Sequence, residues 1–481
     1  VLNSILQQPD HVDGRSPLIR RRAALAAGAL SGLWPGGGLK RLLSDDDVAP
    51  SADAGASAAG GVKRVIFLFM NGGPSQIDTF DPKPELRKFD GKSYSGNQKV
   101  ATGTRTAGTL WASEFQFSQH GESGLEVSEL YPQVARFADD LCVIRSMQSR
   151  SALHAPAILE MNTGRPQTGA ASLGAWIDFG LGAQPRQLPT CVVLPDHRGG
   201  PIGGHTNWNC GPLPVSAATL VRPSKRPVIN LQRERRIAPG DEQQMRGLLK
   251  ALNQHHSDVS GYESIAAARE RAYELAWRME VAAPEAMDLT QETEATQRDY
   301  GLQQTHTRPF GTQCLLAKRM VERGVRFVQV YSGGGEQKNT WDSHTGHVAR
   351  HRKFCAETDQ PIAALLNDLK QTGLWDDTLV IWGGEFGRTP TREASSNGRD
   401  HNPHGFSVWL AGGCVKGGQA IGATDSIGLE AIDTPCSVAD LHATVLHLLG
   451  LDHNELRFYR SGMEVGLTGP EPCRVIDEVL A

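Results

Sequence analysis

Six short runs of β-branched and apolar residues, each closed by glycine or polar side chains, constrain this fold more than any other feature. They are Arg64 to Met70, Leu141 to Met147, Cys191 to Leu194, Val325 to Tyr331, Thr378 to Trp382 and Val408 to Ala411. A strand with one wet face alternates apolar and polar residues, whereas a strand covered on both faces is apolar throughout. The runs therefore predict buried, mostly parallel strands. Helical spacing lies between several of them: Gln360 to Leu374 places Ile362, Leu365, Leu366 and Leu369 on one face just ahead of the Thr378 run, which reads as an αβ unit. The expected fold is α/β, a doubly wound, mostly parallel sheet. The stretch from Asp241 to Arg298, rich in Ala, Glu and Arg, exceeds an ordinary connection and predicts a helical insertion or cap.

Charge excludes one large class of partners. Lys plus Arg total 49 against 53 Asp plus Glu, a net charge of -4, so no global basic field gathers nucleic acid. The eight cysteines, at 142, 191, 210, 314, 355, 414, 436 and 473, never take the CxxC spacing of a zinc ribbon, and isolated cysteines of this kind are usually buried thiols.

At the amino-terminal end, Arg20, Arg21 and Arg22 precede an Ala/Leu/Gly run from Ala23 to Trp34. That run is too short to span a bilayer but suits the apolar region of a signal peptide, and the adjacent arginines resemble a twin-arginine export signal. Residues 1–43 are expected to be an export signal region and 44–61 a flexible linker. A single domain is expected over 62–481, with 241–298 as its insertion. The expected location is periplasmic or extracellular, with no stable membrane insertion once the signal is removed.

In an open α/β sheet, ligands collect at the carboxyl ends of the strands. Here those ends are polar: Asn71-Gly72-Gly73-Pro74 after the first run, Ser149 to His154 after the second, Gly333 to His347 after the fourth and Gly384 to Arg388 after the fifth, with Asp400 to His404 soon following. A dinucleotide site fails on the first of these, because the segment lacks GxGxxG and Pro74 removes an amide that would cradle pyrophosphate. Asp, Glu and His dominate the others. They are ligand types for zinc or, where carboxylates prevail, for calcium or magnesium, and Asp342, His344 and His347 fall within six residues.

The run from His154 to Arg165, HAPAILEMNTGR, resembles the sulfatase signature C-x-P-S-R-x-x-L-x-T-G-R, with Pro156, Thr163, Gly164 and Arg165 matching in place. Val380 to Gly387 is similar to the strand that ends in Asp-His-Gly in the alkaline-phosphatase superfamily, and Asp440 opens a stretch similar to the D-x-x-P-T-x-L helix of sulfatases. The pieces VIFLFMNGGPSQIDTFDPKP, WGGEFGRTP, GRDHNPHGF and DLHATVLHLLGLDH resemble a domain-of-unknown-function family of twin-arginine-exported, sulfatase-like proteins. The resemblance runs from about Val62 to the carboxyl-terminal end and implies an alkaline-phosphatase-like fold.

Departures from that pattern bear on the chemistry. Asn71 stands where the superfamily has a metal-binding Asp, with Asp78 or Asp81 as candidate substitutes, although Asp81-Pro82 reads better as a helix cap. His154 stands where the nucleophilic Cys or Ser belongs, and Ala157 and Ile158 remove the context for formylglycine formation. Three roles are open to that histidine: nucleophile, proton donor or metal ligand. Glu385 replaces the Asp of Asp-His-Gly and Phe386 its histidine.

The resemblance then implies a divalent metal ion, zinc, calcium or magnesium, among Asp342, His344, His347, Glu385, His401 and His404. It implies His154 and Arg388 as catalytic groups, and Asn71 and Arg165 as substrate-binding ones. The expected activity is hydrolysis of phosphate or sulfate esters on a small molecule or polysaccharide. A catalytically silent protein that holds an anionic glycan is the alternative.

Overall fold

The computed structural model describes residues 61–94, 107–182, 187–222, 227–228, 231, 239–260, 263–460 and 462–481. The export signal expected over 1–43 lies outside these residues, as does all but the last residue of the linker. Nine strands form the central sheet: β1 Arg64–Met70, β2 Cys142–Gln148, β3 Cys191–Leu194, β4 Thr219–Leu220, β5 Phe327–Ser332, β6 Thr378–Gly383, β7 Phe406–Gly412, β8 Gln419–Ile421 and β9 Cys436–Ser437. Their order is β8-β2-β7-β6-β1-β5-β3-β4, with β9 also pairing β2. β1 lies at the centre, parallel to β5 through Val65↔Phe327 and to β6 through Arg64↔Thr378.

Neighbouring side chains of β1 enter different cores, as the pleat requires. Ile66, Leu68 and Met70 enter one apolar cluster, and Val65, Phe67 and Phe69 the other. On the first face pack α5 (Arg308–Glu322) and α6 (His347–Gln371), through residues such as Leu315, Phe354 and Leu365. The second face is covered by α1 (His154–Thr163), α2 (Leu173–Leu181) and α7 (Val438–Leu448), through Ile158, Trp176 and Leu441. Apolar burial on both faces is what made the strands readable as continuous runs. Between β4 and α5 the chain forms two long helices, α3 (Pro239–Ser260) and α4 (Glu263–Met287).

Three expectations need correcting. β7 runs antiparallel to both β2 and β6, because an apolar run carries no mark of its direction. The helix expected from Gln360 begins at His347 and continues through Pro361; its first turns bury His347 and His351, polar residues that broke the apolar pattern. Asp81 caps no helix. It is buried, 2.9 Å from Lys83 Nζ, and accepts a hydrogen bond from Thr424 Oγ1.

No disulfide forms among the described residues. Among the same residues, no helix is long and apolar enough to cross a membrane.

Candidate metal centre

Three strand ends and a short antiparallel bridge meet at one point. β2 leads into the amino terminus of α1, which starts at His154. β5 leads into the loop that carries Asp342 and His344, and β6 into Glu385 and Phe386. Arg388 pairs with His401 in a two-residue antiparallel bridge, and this brings His401 back to the same place. The ligand atoms of His154, Asp342, His344 and His401 lie within 4.8 Å of one another.

Asp342 is the hub. Its Oδ1 lies 3.2 Å from His344 Nε2, 3.5 Å from His401 Nε2 and 2.9 Å from an Arg388 amino nitrogen. Its Oδ2 lies 3.3 Å from His154 Nε2 and accepts a hydrogen bond from Gln337. His154 Nε2 and Asp342 Oδ1 are nevertheless buried atoms with no well-directed hydrogen bond among the described residues. Buried polar atoms are almost always satisfied, so a convergent set left short of partners fits a cation. Three imidazoles and one carboxylate are also a known ligand chemistry for borderline divalent ions.

The electrostatics follow from this crowding. Burial acts to raise the pKa of Asp342, but Arg388 and the close approach of His154 and His401 outweigh it and hold the carboxyl well below its usual range. Burial likewise acts to lower His154, but Asp342 and Glu385 on its two sides raise it to about 9. A proton or a metal ion at His154 Nε2 answers the same two carboxylates. His401 is pushed down to about 3, chiefly by burial and also by Arg388. His344 is lowered by burial and Arg388.

Other residues singled out in the sequence sit elsewhere. Glu385 is fully buried behind His154, 2.6 Å from its Nδ1, and accepts the Gly72 amide at 3.0 Å; it supports a candidate ligand from outside the four-residue cluster. His347 turns away from the centre, bonding Asp78 Oδ2 and Ser343 Oγ at 2.8 Å each. The His404 amide donates to Asn402 Oδ1 at 3.1 Å, and that residue too lies outside the cluster.

Arg388 is wholly buried and donates to the carbonyls of Gly72, Gly73 and Arg399, so it braces the loops instead of reaching toward solvent. The Asn71 amide donates to Gly333 O at 3.1 Å. Arg165 follows the carboxyl end of α1, roughly 15 Å of helix from His154. Asp78 joins His347, Ser75, Ser113 and Arg399 in a separate buried network.

Two contributors carried no sequence motif. Glu393 Oε1 is hydrogen-bonded to His344 Nδ1; it lies on a short strand, Thr391–Glu393, whose polar sequence gives no sign of its burial. The Ala152 carbonyl bonds His401 Nδ1 at 2.7 Å. Phe386, fully buried, packs its ring 4.9 Å from His154 and 4.5 Å from His401, which makes an apolar floor.

Fold and site together define an α/β protein with a histidine-rich candidate metal centre at the carboxyl ends of a mostly parallel sheet. The chain belongs to the family described as protein of unknown function DUF1501, which matches residues 62–480. No curated protein matches the sequence.

Among solved structures it is similar to a lipoteichoic acid synthase from Listeria monocytogenes, at 8% identity over 83% of this chain and 74% of that one, with a TM-score of 0.35. A sulfatase from Pseudoalteromonas sp. matches at 13% identity over 81% and 68% of the two chains, with a TM-score of 0.33. An alkaline phosphatase superfamily protein from Vibrio parahaemolyticus matches at 9% identity over 86% and 76%, also at 0.33.

Proposed function

We propose that this protein is an exported, metal-dependent hydrolase of phosphate or sulfate esters that works without a formylglycine nucleophile. The observation that carries the reading is the convergence of His154, His344 and His401 on Asp342 at the strand ends. These four residues would hold a divalent ion. Such an ion, on admitting a fifth ligand, would supply Lewis-acid polarisation of an ester oxygen or a water more acidic than bulk.

The protein's own groups prepare the place. Gln337 and Arg388 hold the two oxygens of Asp342. Phe386 keeps water from the floor. The amino terminus of α1, which has no side-chain cap, sets its partial positive charge beside the centre, where an oxyanion is stabilised. His154, whose side chain is 15% exposed, is the most accessible of the four. The likeness of His154 to Arg165 to the sulfatase signature supports the ester class, and Arg20 to Arg22 ahead of an apolar run support export.

The test is a panel of aryl phosphates and aryl sulfates assayed with wild type and Asp342→Ala. Turnover of at least one ester, lost in the variant, is the expected result. Equal background rates in both proteins would refute catalysis.

One observation favours the silent, glycan-binding alternative: Arg388, expected as a catalytic group, and Asn71, expected to bind substrate, are already engaged with backbone carbonyls. Saturable binding of a sulfated oligosaccharide with no turnover of any ester would establish that reading instead.

A further inference from the structure

Each histidine of the centre has its Nδ1 tied to an acceptor. His401 Nδ1 meets the Ala152 carbonyl at 2.7 Å, and a carbonyl can only accept, so Nδ1 carries the proton and Nε2 the lone pair. His344 Nδ1 meets Oε1 of Glu393, a carboxylate whose other oxygen accepts from Ser396 Oγ at 3.2 Å. His154 Nδ1 lies 2.6 Å from Oε1 of Glu385, and both oxygens of Glu385 accept the Gly72 amide, at 3.0 and 3.1 Å. In every case Nε2 is the atom left to face Asp342. The Nε2 atoms of His344 and His401 are only 2.8 Å apart. Two lone pairs at that distance repel unless a cation lies between them.

We infer that Glu393, Glu385 and the Ala152 carbonyl are positioning groups that build a zinc-class site of three imidazole nitrogens and one carboxylate, not a magnesium or calcium site. The inference rests on the metal reading above and deepens it. Histidines that ligate zinc characteristically give their second nitrogen to a carboxylate or backbone carbonyl, which fixes tautomer and ring orientation. All three do so here. Magnesium and calcium, by contrast, need six or more oxygens, many of them from carboxylates or water, and the cluster has one carboxylate. Two nitrogens on a tetrahedral zinc sit about 3.3 Å apart, given a metal–nitrogen distance of about 2.05 Å, so metal entry would part His344 and His401 by about half an ångström. A shared proton is the competing occupant of that gap.

Metal-stripped protein titrated with zinc, magnesium or calcium against a chromophoric chelator separates these cases. Zinc should bind at least about 100-fold more tightly than either hard cation. Glu393→Ala should weaken zinc by about 10–100-fold, and Glu393→Gln should recover most of the loss, because the amide oxygen still accepts from Nδ1. Long-range proton–nitrogen spectra of the histidine rings in metal-stripped wild type read the tautomers directly and do not depend on whether a variant folds. They should show His344 and His401 protonated at Nδ1.

Protonation at Nε2 on either ring, magnesium or calcium binding as tight as zinc, or equal loss in the two Glu393 variants would each overturn the inference. Zinc binding that depends on Glu393 without ester turnover would leave it standing and refute the hydrolase. Turnover sustained by magnesium with no zinc binding would do the reverse.

Discussion

Asp78→Asn should destabilise the protein by about 3 kcal/mol, and Asp78→Ala by about 5 kcal/mol. Asp78 and Arg399 are each 1% exposed and 3.2 Å apart. Burial works to raise the Asp78 pKa, but Arg399 and His347 outweigh it and hold the carboxyl well below its usual range. Removing its charge strands the guanidinium of Arg399 in the interior, with Thr389 O at 3.3 Å as a remaining acceptor. Breaking one member of a buried ion pair typically costs 3–5 kcal/mol, because the other charge is left uncompensated. Asparagine retains an acceptor for Ser113 and so falls at the lower end.

The consequence reaches the metal centre. Asp78 holds His347, and His347 holds Ser343 between Asp342 and His344. The assay is urea unfolding in excess chelator, so that metal linkage does not contribute, read as a midpoint shift at constant m. In the double variant Asp78→Asn/Arg399→Met the loss should be smaller than the sum of the two single losses. A loss under about 1 kcal/mol for Asp78→Asn, or strict additivity in the double variant, would refute the reasoning.

The site and the fold give further expectations. His442 is buried against the Met161 carbonyl, and burial lowers its pKa to about 4 from an unfolded value near 6.5. The unfolded chain therefore binds the extra proton first. About 3 kcal/mol of stability, fully present above pH 6.5, should be lost as pH falls toward 4. His442→Gln, which keeps a donor for Met161, should flatten the unfolding profile over that window, and an unchanged slope would sink the assignment. Gly72 has φ +116°, and a Cβ there would meet the Asp342 amide nitrogen at 2.5 Å. Gly72→Ala should cost about 1–3 kcal/mol in backbone strain and weaken metal binding by displacing Asp342. Metal affinity equal to wild type would show that the loop yields without moving its ligand.

How much of this was legible depended on whether a feature is local. The strands could be read because β1, β5 and β6 are covered on both faces, so Arg64 to Met70 and its counterparts are predominantly apolar without alternation. The direction of β7 could not, since pairing direction is a tertiary property. Asp342, His344 and His401 lie at strand ends, where open α/β sheets collect ligands, and their side chains do converge. His347 was grouped with them on residue type alone, yet its place in the first turn of α6 turns it toward Asp78. Glu385 enters the ligand set through its place in the Asp-His-Gly resemblance, and it lies behind His154, outside the four-residue cluster; a side chain that holds a ligand and the ligand itself look alike in sequence. Glu393 and the carbonyl of Ala152 had no motif, because their role exists only once two distant strand ends have met.

His154, Asp342, His344 and His401 are proposed to share one metal ion. Anomalous scattering from crystals grown with zinc tests it most directly. The account predicts one strong peak about 2.0–2.2 Å from three Nε2 atoms and an Asp342 oxygen, lost in Asp342→Ala. A map with no peak at these four residues, or with its peak at Asp78 and His347, would contradict it.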